Sequence, residues 1–347
     1  MKTRTIPRIA GALACLAAFV PLMAAGVSGA GATTSSIHHG AREASIPPGT
    51  VLRVGEQLKN LSTVLSLGHE NQNFPYQVQY DEFVGGPSML QAFEGGSLDV
   101  GYIASTPLIF AQAAAQQVTA VAGWATAGTA YALVSAPGVR SIKSWADLKG
   151  KRVAYQQGTA VESALLEGLK TAGLTLRDIT SVNLPTTQIA AALQGGSADA
   201  GIEVEPLLSA YLQANPSARV IAHPGAITEK AGFLVATSSA LANKSVSAAL
   251  ADYISRLIKA YAYLKTHPRA VIQSVYEGQY GLTPQRAAAV SAAVGSTSFF
   301  ALPGGIVGPQ QNLANLYLAA GSIPARINVA KEFDARFNSL VSSVQGS

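Results

Sequence analysis

A decapeptide occurs twice in this chain, and no other feature restricts its fold so strongly. Ala92-Phe93-Glu94-Gly95-Gly96-Ser97-Leu98-Asp99-Val100-Gly101 returns as Ala192-Leu193-Gln194-Gly195-Gly196-Ser197-Ala198-Asp199-Ala200-Gly201. The flanks repeat as well: Arg53-Val54 with Arg152-Val153, Gln57 with Gln156, and Thr106-Pro107-Leu108 with Glu205-Pro206-Leu207. Each copy reads as strand, helix, Gly-Gly turn, strand and a helix opened by proline, since glycine ends a helix in the left-handed region and proline suits its first turn. A repeat of this length is a supersecondary unit used twice. It predicts two similar α/β lobes, with a cleft between them where strand ends and helix N-termini meet.

The rest of the chain fits that plan. Short apolar runs suggest strands at 51–55, 76–82, 100–104, 120–123, 130–135, 152–155, 181–184, 200–203 and 233–237, mostly parallel. Helices are expected to begin near Ser88, Pro107, Ala160, Thr187 and Pro206. Lobe 1 is expected over 50–135 and lobe 2 over 136–231, entered at Ser135-Ala136-Pro137-Gly138. Residues 232–347 are expected to return to lobe 1 and then continue as helices only, from Ser239 onward. Two connections crossing between the lobes would form a hinge able to close on a ligand.

Composition removes several function classes once the N-terminus is read correctly. Lys2, Arg4 and Arg8 precede an apolar run from Ile9 to Ala25, and Ala30-Gly31-Ala32 follows as a small-x-small cleavage pattern. This is the anatomy of a secretory signal peptide, expected over 1–32, with a Ser/Thr/Gly/Pro-rich tether over 33–49. The formal charge of +5 then falls: 24 Lys and Arg, less the three in the leader, against 19 Asp and Glu leave +2. No basic run remains, so a nucleic-acid partner is not expected. The single Cys15 lies inside the leader, so no disulfide framework is expected, nor is a lipid anchor. The mature product is expected to be an exported, soluble monomer.

Catalytic and metal motifs are missing. His38, His39, His69, His223 and His267 show no metal-ligand spacing outside the tether, and no nucleophile elbow, P-loop or dinucleotide fingerprint occurs, so neither cofactor nor metal is expected. The chain instead offers hydrogen-bond donors at helix starts. Ser105-Thr106-Pro107, Gln157-Gly158-Thr159-Ala160 and Gly85-Gly86-Pro87-Ser88 each place donors beside uncapped backbone N–H groups. Any one of them alone reads as plain N-capping, but their occurrence at equivalent places in both lobes suggests anion binding. Glu205 stands where Thr106 stands in the first copy; it either complements the helix dipole or accepts from a ligand ammonium, hydroxyl or ring N–H.

At this level of detail the chain resembles a known family. Leu52-Arg53-Val54-Gly55-Glu56-Gln57, Glu82-Phe83-Val84-Gly85-Gly86-Pro87, the stretch from Leu90 to Gly101, and Thr106-Pro107-Leu108-Ile109-Phe110-Ala111-Gln112 resemble the aliphatic sulfonate-binding proteins, grouped with the taurine, nitrate and thiamine-precursor binding proteins of ABC importers. Ser141 to Val153, followed by Gly158-Thr159, adds to the likeness, which covers roughly residues 50 to 265. The resemblance implies a type II periplasmic-binding fold and a receptor that delivers a small solute to a membrane permease. Its motif positions are Gln57, Leu58, Gly85, Gly86, Ser105, Thr106, Gly158, Thr159 and Glu205. One departure is clear. The family's second lobe usually carries a tryptophan-rich stretch ending Trp-Asp-Pro, where this chain has Gly201-Ile202-Glu203-Val204-Glu205-Pro206. An aromatic wall is therefore expected to be missing, with Glu203 and Glu205 near the cleft. An alkanesulfonate such as taurine is the expected ligand, with a nitrogen heterocycle or nitrate as alternatives and an enzyme on the same fold as the rival class.

Overall fold

The structure is a computed structural model and describes residues 46–128, 130–225 and 231–345. The expected leader and most of the expected tether lie outside the described residues. The tether ends earlier than expected, since Ile46 already packs on the core of the first lobe.

In chain order the elements are β1 (Val51–Glu56), α1 (Asn60–Leu67), β2 (Gln77–Glu82), α2 (Gly86–Glu94), β3 (Val100–Ala104), α3 (Ser105–Ala113), β4 (Val118–Thr126), β5 (Tyr131–Ser135), β6 (Arg152–Tyr155) and α4 (Ala160–Thr171). Next come β7 (Thr180–Asn183), α5 (Thr186–Gln194), β8 (Ala200–Val204), α6 (Leu207–Ala214), β9 (Val220–Ala222) and β10 (Ala231–Thr237). The C-terminal part holds α7 (Ser238–Ala242), α8 (Lys244–Thr266), α9 (Pro268–Val271), a π-helix (Ile272–Gln279), α10 (Pro284–Val294), β11 (Thr297–Phe300), α11 (Val307–Ala320) and α12 (Asn338–Gln345).

Two mixed sheets result, of six and five strands, and their orders match except for β11, which has no counterpart in the second. The first runs β11-β4-β10-β3-β1-β2 and the second β7-β6-β8-β5-β9. The parallel pair β1/β3 sets Val54 beside Val100, and β6/β8 sets Val153 beside Ala200 at the repeated positions. In each sheet one antiparallel strand arrives from the other lobe. β10 places Val235 opposite Gly101, and β5 places Val134 opposite Gly201. This reciprocal exchange is what the type II bilobed fold requires, with crossings between β4 and β5 and between β9 and β10.

Three expectations need correction. The strands are not mostly parallel, because β10, β11 and β5 all pair antiparallel with their neighbours. β5 was assigned to lobe 1 by the boundary at residue 135, but it pairs with β8 and β9 in the second sheet. The crossing therefore precedes Tyr131, and Ala136-Pro137-Gly138 is a loop within lobe 2. The C-terminal part is also not all helix. Thr297-Ser298-Phe299-Phe300, a run of strand-favouring residues after Gly295, pairs antiparallel with β4 and buries Phe299.

Helices cover both faces of each sheet. α8 starts at Asn243, whose side chain accepts from the N–H groups of Ser245 and Val246 at 3.0 and 3.3 Å. It buries Leu250, Tyr253, Ile254, Leu257 and Ile258 on the first sheet, and each large apolar side chain removed from water contributes about 1.5–3 kcal/mol. Lobe 2 has its own core, from Leu133 and Val153 to Leu165 and Ile202. α11 joins the lobes from behind, seating Leu313, Ala314 and Tyr317 between Ile109 of α3 and Leu166 of α4.

Candidate ligand-binding site

The repeat places the same kind of atom at the same depth on both sides of the cleft. Gln57 follows β1 and Gln156 follows β6. Gln57 donates to the Tyr102 carbonyl at 3.0 Å. Gln156 accepts from the N–H and hydroxyl of Thr186 at 2.9 and 2.7 Å, and donates across the cleft to the Val84 carbonyl at 3.3 Å. The lobes thus touch directly over a cavity of ≈ 160 Å³. A single water needs about 10–15 Å³, so the space suits a small organic solute rather than a macromolecule.

The start of every helix from α1 to α6 reaches this chamber. Leu58 stands before α1, Gly85 and Gly86 open α2, Ala104 and Pro107 open α3, Thr159 and Ala160 open α4, Thr186 and Thr187 open α5, and Leu207 opens α6. Among the described residues no Lys, Arg, Asp or Glu lines it. Each helix N-terminus carries about half a positive charge, so the chamber is electropositive without a cation. No side chain caps α2, which leaves its first-turn N–H groups for water or a ligand. Only glycine serves at the mouth of α2. Gly85 has φ +86, and a Cβ there would meet Gln156 Nε2 at 2.7 Å, while a Cβ on Gly86 would collide with the Pro107 ring.

A second chamber of ≈ 220 Å³ adjoins the first through Tyr102, Ala104, Tyr131 and Val204. Its lining adds Trp124, Glu205, Gly232 and Tyr276. Tyr102 stacks on Trp124 with ring centroids 5.1 Å apart, and Trp124 packs in turn against Phe299 and Tyr261. The expected loss of an aromatic wall is therefore corrected: lobe 1 and the C-terminal part, together with Tyr131 of β5, supply the rings that the stretch 201–206 lacks.

Of the nine positions singled out in the sequence, Gln57, Leu58, Gly85, Gly86 and Thr159 line the first chamber and Glu205 the second. Leu58 is 39% exposed there, with φ +52. Ser105, Thr106 and Gly158 stand behind the wall. α3 begins two residues before the expected Pro107, so Ser105 and Thr106 belong to its first turn and face inward. The Ser105 hydroxyl reaches the Ala231 carbonyl at 3.4 Å, and Thr106, 0% exposed, bonds Tyr317 at 3.0 Å. The Gly158 N–H is already given to Glu162 at 2.7 Å. Burial pushes the Glu162 carboxyl up to about 7, against the pull of that N–H.

The two acids expected near the cleft separate. Glu205 accepts from the Ser209 N–H and hydroxyl at 3.2 and 3.0 Å, anchoring the first turn of α6. Burial raises its affinity for a proton, while Ser209, Arg286 and His223 pull the other way. A carboxylate has about four acceptor sites, so further capacity faces the second chamber. Glu203 does not reach the cleft. It is 0% exposed, and burial pushes it up to about 8 against the pull of the Val204 backbone N–H. It is held in the wall of lobe 2, where burial favours its protonated form.

Sequence reasoning missed Tyr102, Tyr131, Gln156 and Thr186 as lining residues. Gln156 carried a signal, as the repeat partner of Gln57. Among the described residues no group of three His, Cys, Asp or Glu side chains could hold a metal, and no helix is long and apolar enough to cross a membrane.

Comparison with known proteins agrees with this geometry. The sequence signature of the family described as NMT1/THI5 like matches residues 77–270, more than half of the 347. The chain is 36% identical over 164 residues to the putative aliphatic sulfonates-binding protein of Escherichia coli (strain K12), covering 46% of this chain and 51% of that protein. In sequence the chain spans about half the length, or less, of the curated relatives it matches. Among solved structures, the alkanesulfonate-binding protein SsuA from Xanthomonas axonopodis pv. citri, bound to MOPS, gives a TM-score of 0.74 at 29% identity, covering 83% of this chain and 99% of that one. The periplasmic aliphatic sulphonate binding protein SsuA from Escherichia coli gives 0.69 at 26%, with 84% and 99% covered.

Proposed function

The chain belongs to the NMT1/THI5-like family, and on that footing we propose that it is the extracytoplasmic solute-binding protein of an ABC importer, whose ligand is a small organic anion, an aliphatic sulfonate such as taurine. The observation that carries this reading is the convergence of six helix N-termini, from both lobes, on a chamber without a charged side chain. A sulfonate suits such a chamber: its three oxygens accept from N–H groups of several helices at once, and its charge is spread, as is the positive potential. The likeness to proteins named for sulfonate binding supports the same choice.

The site residues then divide the work. The oxyanion sits between the starts of α1 and α2 on one side and α4 and α5 on the other, with the second amide N–H of Gln57 and of Gln156 as side-chain donors, while Thr159 gives its proton to the Gln156 carbonyl at 2.7 Å and shapes the wall. The tail enters the second chamber against Tyr102, Trp124 and Tyr276. Glu205 accepts there from an ammonium or N–H group, which favours aminosulfonates over plain alkanesulfonates. Because donors come from both lobes, the ligand binds the closed state better than the open one and draws the lobes together. The closed form is then delivered to a membrane permease by an exported, monomeric receptor.

A thermal-shift panel tests this: taurine, ethanesulfonate, MOPS, sulfate, nitrate, pyrimidines and amino acids. A ligand at 100 times its Kd stabilises by about 2.7 kcal/mol, which raises the midpoint visibly. Sulfonates are expected to give the largest shifts. Silence from every sulfonate with a clear shift from a pyrimidine or an amino acid would overturn the ligand class.

A further inference from the structure

The second chamber has a thin back wall. Tyr276 and Val294 line it, and the same two residues line a third cavity of ≈ 360 Å³ behind it. That cavity is largely apolar, walled by Val64, Tyr261, Leu264, Pro268 and Val271. Tyr276 is carried by the π-helix Ile272–Gln279, a rare geometry that recurs at functional sites. Its carbonyl accepts from the Leu282 N–H at 3.0 Å, which ties the segment to the turn before α10. The ring rests on the small cluster of Leu282, Ala287 and Val290. One side chain on a held segment thus separates the space that would receive a ligand tail from an apolar annexe.

We propose that Tyr276 is the tail stop of the site, setting the longest sulfonate chain the receptor accepts, with the annexe behind it as an alkyl-binding space closed off in the wild-type chain. The inference rests on the sulfonate reading, since it assumes that the anionic head is fixed at the helix starts and the tail points toward Tyr276. Chain length is then read by steric exclusion at one residue. Its counterpart Val294 closes the partition from α10.

Titration calorimetry of the purified protein with ethane-, butane-, hexane- and octanesulfonate tests it. In the wild type, affinity is expected to rise with length and then fall at octanesulfonate, where the tail meets the ring. In Tyr276→Ala the fall disappears. Each methylene that enters the annexe is worth about fourfold in affinity, so the ratio of octanesulfonate to ethanesulfonate affinity rises roughly tenfold or more over the wild-type ratio. Tyr276→Phe keeps the partition and must keep the wild-type length profile. If Tyr276→Ala does not fold, judged by its thermal midpoint, Val294→Ala opens the wall from the other side and must shift the profile in the same direction. Parallel profiles for wild type and the opened variants would overturn the tail stop alone, with the receptor reading intact. Failure of the wild type to bind ethane- and butanesulfonate would overturn the receptor reading, and the tail stop with it.

Discussion

The two lobes share a framework and differ at the ligand. In lobe 1, Arg53 grips Asp99 through its backbone N–H at 2.9 Å and its guanidinium at 3.0 and 2.7 Å. In lobe 2, Arg152 grips Asp199 in the same way, at 2.9, 3.3 and 2.6 Å. The turns before β3 and β8 both use a left-handed glycine at φ +71, Gly96 and Gly196. Beyond these strands the copies diverge. Buried Ile103 in β3 corresponds to buried Glu203 in β8, and Thr106, bonded to Tyr317, corresponds to Glu205, facing the second chamber. The repeat therefore fixes where the sheet and helices lie, while the residues just past the strand ends decide what each lobe presents to the cleft. Lobe 1 contributes glycines, Gln57 and the rings of Tyr102 and Trp124; lobe 2 contributes the hydroxyl of Thr186, Gln156, Tyr131 and the carboxylate of Glu205.

The largest expected effect breaks the meeting of the lobes. Gly85→Val places a branched side chain at φ +86 against Gln156, and the affinity for a sulfonate should fall by roughly a hundredfold, about 2.8 kcal/mol, by titration calorimetry. Thr186→Val on the opposite side removes one hydrogen bond to Gln156 and should cost about 1 kcal/mol of binding. A larger loss from Thr186→Val than from Gly85→Val would show that lobe 2 alone holds the ligand.

On stability rather than binding, the largest effect belongs to Glu203, the acid with an apolar counterpart. Its folded pKa of about 8 lies above the ordinary carboxylate value of 4.5, so the unfolded chain ionises first. Stability from this group is therefore complete below about pH 4.5 and is lost as pH rises through 8. Glu203→Ile, copying Ile103, should relieve that loss, raising stability at pH 9 over the wild type by about 3–5 kcal/mol, and much less at pH 5. Urea midpoints at both pH values check it, and an unchanged pH slope would contradict it.

The framework pairs should also separate. The Asp99 side chain is 8% exposed and Asp199 26%, so Arg53→Ala strands a more deeply buried carboxylate. We expect a loss of about 2 kcal/mol for Arg53→Ala and a clearly smaller one for Arg152→Ala in chemical denaturation. Equal losses would mean that burial does not distinguish the copies. Tyr317 ties the lobes together, bonding Thr106 in lobe 1 and donating to the Thr159 carbonyl in lobe 2 at 3.2 Å. Tyr317→Phe should lower the thermal midpoint by the equivalent of about 1 kcal/mol.

Most of the frame was legible because it is local or repeated. The decapeptide revealed the paired lobes, and nine strands were visible as short apolar runs between turn signals. What escaped depends on contacts distant in sequence. β5 joins lobe 2 because β8 and β9 receive it, and Ser135-Ala136-Pro137-Gly138 looks like a linker although Ser135 ends β5 and the rest is a loop within lobe 2. β11 is four residues long and exists through its pairing with β4. Within the site, Gly85 and Gly86 carry turn chemistry legible in the sequence, while Gln57 is pointed to by the family resemblance. Ser105 and Thr106 were misplaced because the first turn of α3 forms two residues earlier than proline alone indicates. The aromatic wall could not be read from β8, since Tyr102, Trp124 and Tyr276 reach it from three separate segments.

The central claim is that helix starts from both lobes, with no cation, hold an oxyanion. Titration of the protein with butanesulfonate and with its uncharged isostere butyl methyl sulfone tests it most directly. Charge-assisted hydrogen bonds are about twice as strong as neutral ones, so the sulfonate is expected to bind at least roughly tenfold more tightly. Equal affinity for the two, or binding of the sulfone alone, would contradict the account.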